Sequence, residues 1–104
     1  MKIFQIISLS AALTLSASSL TARTLDQQAD SAYSADRFEE AAALYRQAID
    51  EYGTSPELYY NLGNSYYRLG APGKAILAYE RALRIDPTFS DARTNLEFVN
   101  ARLA

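Results

Sequence analysis

The sequence predicts an all-α fold in which two helical hairpins stack side by side and one further helix closes the stack. Three observations carry this. Residues recur in kind at a spacing of 34. Proline and glycine fall where helices would begin and stop. The last stretch places Ala92, Leu96, Val99 and Leu103 at spacings of four, three and four, which draws one apolar stripe down a helix.

Residues 1–22 come first and read as a leader rather than as part of the fold. Met1 and Lys2 precede an apolar run from Ile3 to Leu15, broken by Gln5, Ser8, Ser10 and Thr14, and small residues follow up to Ala22. A short positive end, an apolar stretch and a small-residue zone form the layout of a secretory signal. Cleavage is expected after Ala17, Ser19 or Ala22, with Ala22 favoured. The run falls short of the ~20 residues of a spanning helix. No cysteine follows it to carry a lipid. Removing the leader takes away Lys2 and leaves nine bases against twelve acids, a mildly acidic protein expected in the periplasm or on the periplasmic face of the membrane.

The repeat occupies residues 23–104. Aligning Leu25 with Tyr59 puts Ala29 on Gly63, Tyr33 on Tyr67, Ala41 on Ala75, Tyr45 on Tyr79, Ala48 on Ala82, Ile49 on Leu83 and Gly53 on Pro87. Small matches small and aromatic matches aromatic. The second copy holds Tyr59, Leu62, Gly63, Tyr66, Ala75, Tyr79, Ala82 and Pro87, and this pattern resembles the tetratricopeptide repeat (TPR), whose length is also 34 residues. Gly63 and Ala75 would let the two helices of a hairpin approach closely, Ala82 would keep the next contact tight, and Tyr59, Leu62, Tyr66 and Tyr79 would fill the core beside them. Tyr45 is expected in the core as well. The first copy is atypical, with Gln28, Ala29 and Ala32 in the Leu, Gly and Tyr places, as suits a terminal repeat with one face in water.

Repeat one is expected at about 22–55, repeat two at about 56–89 and a capping helix at about 90–103. Helices are expected at 24–35, 38–52, 56–69, 72–85 and 90–103. Pro56 and Pro72 suit first turns, Gly53 and Gly70 suit stops, Pro87 cannot continue a helix, and Ser90 suits an N-cap.

Composition narrows the function. The 104 residues carry ten bases and twelve acids, formal charge −2, with no cysteine and no histidine. Thiolate catalysis, disulfides, zinc sites and imidazole acid–base chemistry are excluded. Without a basic stripe, nucleic acid is not an expected partner. No enzyme activity, cofactor or metal is expected.

From Tyr60-Asn61-Leu62-Gly63-Asn64-Ser65-Tyr66-Tyr67-Arg68-Leu69-Gly70 through Gly73-Lys74-Ala75-Ile76-Leu77-Ala78-Tyr79-Glu80-Arg81-Ala82-Leu83, then Asp91-Ala92-Arg93 and Asn95-Leu96-Glu97-Phe98, the chain resembles the exported TPR proteins of Bacteroidetes aerotolerance (Bat) operons. The resemblance runs from about Ala41 to Ala104. It implies an envelope protein with von Willebrand-type and MoxR-type ATPase partners, tied to oxidative-stress tolerance or envelope maintenance. That family's later membrane-spanning and SH3-like segments lie beyond the stretch compared.

In a TPR array the first helix of each repeat lines a concave groove. The inward places hold Asp26, Asp30 and Tyr33 in repeat one, Glu57, Tyr60, Asn61, Asn64, Tyr67 and Arg68 in repeat two, and Asp91, Asn95 and Phe98 on the capping helix. Tyrosine gives stiff contact area with a polar tip, and asparagine can bond a peptide backbone. An aromatic floor with acidic edges predicts a protein or peptide partner, neutral or basic. Clamp-type TPR domains hold a terminal carboxylate with cations. Here the matching places hold Asp26, Asp30, Asn61, Asp91 and Asn95; only Asn61 agrees, and the acids that stand where cations are needed would repel it. Packing of Tyr33, Tyr60 and Tyr67 against neighbouring helices is the competing reading for those three. Self-association, which would extend a short array, is the alternative function. Gly70-Ala71-Pro72-Gly73-Lys74-Ala75 is a helix turn rather than a phosphate loop, lacking the first glycine, the hydroxyl and a preceding strand. Glu39 and Glu40, near Asp36, are expected as a solvated first turn, where acids suit the positive helix end.

Overall fold

Residues 23–104 of a computed structural model are described here; the leader expected at 1–22 lies outside the described residues. Among the described residues five helices follow one another: α1 (Leu25–Ser34), α2 (Phe38–Tyr52), α3 (Pro56–Arg68), α4 (Pro72–Ile85) and α5 (Ser90–Leu103). α1 pairs with α2 and α3 with α4, α2 packs on α3, and α5 lies on α4 with a lighter contact to α3. The order is that of the expected all-α array of two hairpins and a closing helix. Among the described residues there is no strand, and no helix is long and apolar enough to cross a membrane.

Helix starts alternate in chemistry. α1 opens on a capping box: Thr24 Oγ1 accepts from the Gln27 N–H at 3.4 Å while Gln27 Oε1 accepts from the Thr24 N–H at 3.1 Å. α3 opens on Ser55, whose Oγ accepts from the Leu58 N–H at 3.0 Å, with Pro56 pre-set in the first turn. α2 and α4 have no side-chain cap. They begin directly after a tight turn that both hairpins share. Arg37 N–H bonds the Ala32 carbonyl at 2.9 Å and Asp36 N–H the Tyr33 carbonyl at 3.0 Å; 34 residues on, Ala71 bonds Tyr66 at 2.9 Å and Gly70 bonds Tyr67 at 3.0 Å. This is the Schellman arrangement, which needs one left-handed residue. Gly70 supplies it at φ 78° without cost, whereas Asp36 adopts φ 60° despite its Cβ.

α5 departs from expectation at its start. Ser90 is the first helical residue and Phe89 takes the cap position, with no side-chain cap bond. The cause lies in the turn before it. Asp86 Oδ1 accepts from the Thr88 N–H at 3.0 Å and the Thr88 hydroxyl at 2.6 Å, and these donors hold the Asp86 carboxyl below its usual range. The Phe89 N–H then bonds the Asp86 carbonyl at 3.2 Å. The turn is complete one residue early, and the Phe89 ring packs on Tyr60 at 5.1 Å.

The core is built mostly of alanine. Ala29, Ala32, Ala41, Ala42, Ala48, Ala75, Ala78, Ala82 and Ala92 are all buried, joined by Tyr45, Leu62, Tyr79 and Val99. Small contact residues let helix axes approach to the short end of the usual ~8–10 Å. Gly63 is the extreme case: a Cβ there would lie 2.6 Å from Cε1 of the buried Tyr79 ring. Tyr45 and Tyr79 are in the core as expected. Tyr59 and Tyr66 differ: both are half-buried, touch both hydrophobic clusters, and turn one edge to solvent between α2 and α4. On α5, Ala92 and Val99 are buried and Leu96 half-buried, but Leu103 is 56% exposed, so the apolar stripe is uncovered only at its end.

Candidate partner-binding groove

α1, α3 and α5 bring one face together along two adjoining depressions. The first, of about 190 Å³, is lined by Asp30, Tyr33, Ser34, Tyr45, Asn61 and Asn64. The second, of about 230 Å³, is lined by Tyr33, Asn64, Tyr67, Arg68, Tyr79, Asn95, Phe98 and Val99. Tyr33 and Asn64 belong to both, so the two form one continuous groove.

A polar network fixes its floor. Tyr79 Oη donates to Asn64 Oδ1 at 2.5 Å, and Asn95 Nδ2 donates to the same oxygen at 2.9 Å and more loosely to Tyr60 Oη at 3.4 Å. With Oδ1 doubly engaged, the Asn64 amide is orientationally fixed, which leaves its Nδ2 as a donor at a residue that both depressions share. In the first hairpin the equivalent bond runs from Tyr45 Oη to Asp30 Oδ1. Burial pushes the Tyr45 hydroxyl well above the usual phenol range, and the bond to Asp30 pushes it further. Burial likewise raises Tyr79. Both phenols therefore remain donors.

The walls are aromatic. Tyr67 meets Phe98 edge-on at 5.8 Å between ring centres, and Phe98 is 49% exposed. Tyr33 meets Phe38 edge-on at 5.1 Å, and the Arg68 guanidinium lies 4.4 Å over that Phe38 ring with Asp36 at 3.9 Å. Arg68 is thereby held at the groove margin by a ring and a carboxylate.

Asp30, Tyr33, Asn61, Asn64, Tyr67, Arg68, Asn95 and Phe98 thus share the groove. Tyr60 lines neither depression; it is half-buried against Tyr79 and Phe89 at 6.1 and 5.1 Å, and its hydroxyl accepts from Asn95 Nδ2. Asp26, Glu57 and Asp91 line neither depression; they sit in the first turns of α1, α3 and α5, where acids suit the helix dipole. Sequence reasoning assigned Tyr45 and Tyr79 wholly to the core and so missed their hydroxyls at the groove floor. The signal was the pairing of Asp30 with Tyr45 and of Asn64 with Tyr79, both fifteen residues apart. Glu40 ion-pairs with Arg37 at 2.7 Å on the surface. Among the described residues no acidic cluster is arranged to hold a metal ion.

Stacked helical hairpins carrying a groove across their first helices define a repeat protein of the kind that holds other proteins. Residues 27–88 match the family model described as "Tetratricopeptide repeat", and the chain belongs to that family. It is also similar to "Protein SGT1 homolog" of Oryza sativa subsp. japonica, 34% identical over 71 residues, which are 68% of this chain and 19% of that relative. The chain therefore matches about a fifth of that relative's length. TPR domains bind protein partners and are typically non-catalytic scaffolds.

Proposed function

We propose that the chain is an exported, non-catalytic scaffold whose groove holds an extended segment of another protein, neutral or basic in charge. The observation that carries this is Asn64. Its oxygen is tied down by Tyr79 and Asn95, which leaves its N–H₂ as a donor for a partner's backbone carbonyl in the depression it lines with Tyr33 and Tyr67. Preorganisation of this kind lowers the entropy cost of binding. Asp26, Glu57 and Asp91, in first turns outside the depressions, add three carboxylates to Asp30, against Arg68 and the Arg102 guanidinium 4.6 Å over the Phe98 ring, a balance that suits a neutral or basic segment. The leader-like residues 1–22 and the likeness of 41–104 to Bat-operon proteins support an envelope setting, with von Willebrand-type or MoxR-type ATPase proteins as the partners to try first.

The test is a pull-down from bacterial envelope extract with the tagged chain, repeated with Asn64→Ala combined with Tyr67→Ala. A specific protein recovered by the wild type and lost with the double variant, at unchanged helicity, supports the groove. Equal recovery by both refutes it.

A second reading rests on α5. Leu103 is 56% exposed and borders a hollow of about 450 Å³ with Tyr67, Pro72 and Val99, flanked by Arg68 and Arg102, a largely apolar surface suited to self-association or to docking a further helix. Light scattering over a concentration series decides it: a size that grows with concentration and reverts with Leu103→Asp favours assembly.

A further inference from the structure

The opposite side of the array carries a cleft of different character. Its floor is the outer face of α3, through Tyr59, Leu62 and Tyr66; its walls are Arg46, Ile49 and Asp50 of α2 and Lys74, Leu77, Ala78 and Arg81 of α4. Its volume, about 410 Å³, lies within the ~300–1,000 Å³ usual for ligand pockets. Leu77 is 45% exposed at its edge.

Three cations surround this apolar floor, against the one carboxylate of Asp50. Arg46 donates to Tyr66 Oη at 2.9 Å, Lys74 Nζ lies 5.6 Å over the Tyr66 ring, and the Arg81 guanidinium lies 5.9 Å over the Tyr59 ring. Among the described residues none of the three is in an ion pair; the ion pairs found are Arg37–Glu40 and Arg68–Asp36. The tyrosines hold the cationic heads at the rim rather than letting them extend into water.

The fold does not require these charges. At the offset of 34, Lys74 corresponds to Glu40, Leu77 to Ala43 and Arg81 to Gln47. The first hairpin builds the same helix with an acid, a methyl and an amide. Lys74, Arg81 and the exposed Leu77 are particular to α4, and Arg46 of α2 completes the basic rim, in a chain whose net charge is negative.

We propose that this convex cleft is a second docking site, for an acidic segment of a partner protein that seats one large apolar side chain against Leu62 and Leu77 while its carboxylates meet Arg46, Lys74 and Arg81. Charge complementarity selects this occupant. It also distinguishes the two faces: three cations and one carboxylate line the cleft, whereas the groove is lined by one of each, Arg68 and Asp30, so an acidic segment is favoured at the cleft. The chain can then join two partners at once.

The test uses the full chain and a fluorescein-labelled glutamate-rich peptide with one central phenylalanine, read by anisotropy. Saturable binding is expected, weakened about tenfold or more by Lys74→Glu, Arg81→Glu or Leu77→Asp and by replacing the peptide's phenylalanine with alanine, and unchanged by Tyr67→Ala in the groove. Circular dichroism on each variant checks folding. Lys74 and Arg81 are exposed, so their reversal tests the cleft even if Leu77→Asp perturbs α4. Absence of binding, or equal binding by the charge-reversed variants, overturns the proposal. So does a dimer that dissociates on Leu77→Asp in a chain that ignores the peptide, which would give the cleft to a second copy.

Discussion

The two hairpins have the same backbone plan and different side-chain solutions. Where α1 meets Tyr45 the chain places Ala29, and where α3 meets Tyr79 it places Gly63, because there a Cβ would lie 2.6 Å from the ring. The hydroxyl at the groove floor meets a carboxylate in the first hairpin, Asp30, and an amide in the second, Asn64. The left-handed turn residue is Asp36 in one and Gly70 in the other. Spacing alone holds the architecture, since all three pairs sit 34 residues apart. The residue at each place then decides local stability and what the surface can bind.

The largest expected effect comes from closing the difference at the helix contact. Gly63→Ala should gain ~1 kcal/mol of helix propensity yet destabilise by about 2–3 kcal/mol net, because the Tyr79 ring is buried and cannot yield. A thermal melt should show Tm lower by roughly 10 °C or more. Were Gly63→Ala neutral, the close approach would not be what sets the second hairpin's geometry.

Next in size is the response to alkali. Tyr45 and Tyr79 have folded-state pKa values raised above the ordinary phenol value near 10. The native state then holds protons that the unfolded state releases. Their contribution is fully present below pH ~10 and is lost as pH rises above it, by about 1.4 kcal/mol per pH unit for each tyrosine. Denaturant melts across that range should show the decline, and Tyr45→Phe with Tyr79→Phe should flatten it. Asp30→Asn makes the first hairpin resemble the second and should bring the Tyr45 ionisation down, read by tyrosinate absorbance. An unmoved titration would deny Asp30 its part.

The smallest effect concerns the turn. Asp36→Gly should stabilise by about 0.5–1 kcal/mol by removing the left-handed cost, less whatever the Arg68 contact contributed. Gly70→Ala should destabilise by about 1 kcal/mol. Equal and opposite signs at the two turns would confirm that the backbone conformation is shared.

Nearly all of the architecture could be read in the sequence, because it depends on residue types with few alternatives: alanine or glycine where helices touch, proline at first turns, tyrosine at fixed intervals. The start of α5 could not, because Ser90 is a good N-cap by type and was displaced by the Asp86 side-chain turn and by Phe89 packing on Tyr60. The groove was legible only in part. Helix register identifies which residues face inward, but not how far along the helix the depression extends, so Asp26, Glu57 and Asp91 were grouped with residues that it does not reach. Tyr60 faces the right way yet is claimed by Phe89. The convex cleft escaped because tyrosines at core spacing were read as core; that Tyr59 and Tyr66 keep an edge in solvent depends on the gap between α2 and α4, which no local pattern encodes.

The central claim is that the first-helix face is where a partner lies, and photo-crosslinking tests it most directly. A benzophenone amino acid placed at Tyr67 or Phe98 should cross-link the partner recovered by pull-down, whereas the same group at Ala43 or Arg84, on the outer helices, should not. Cross-links from Ala43 or Arg84 alone, with none from Tyr67 or Phe98, would contradict the account and place the working surface on the other side of the array.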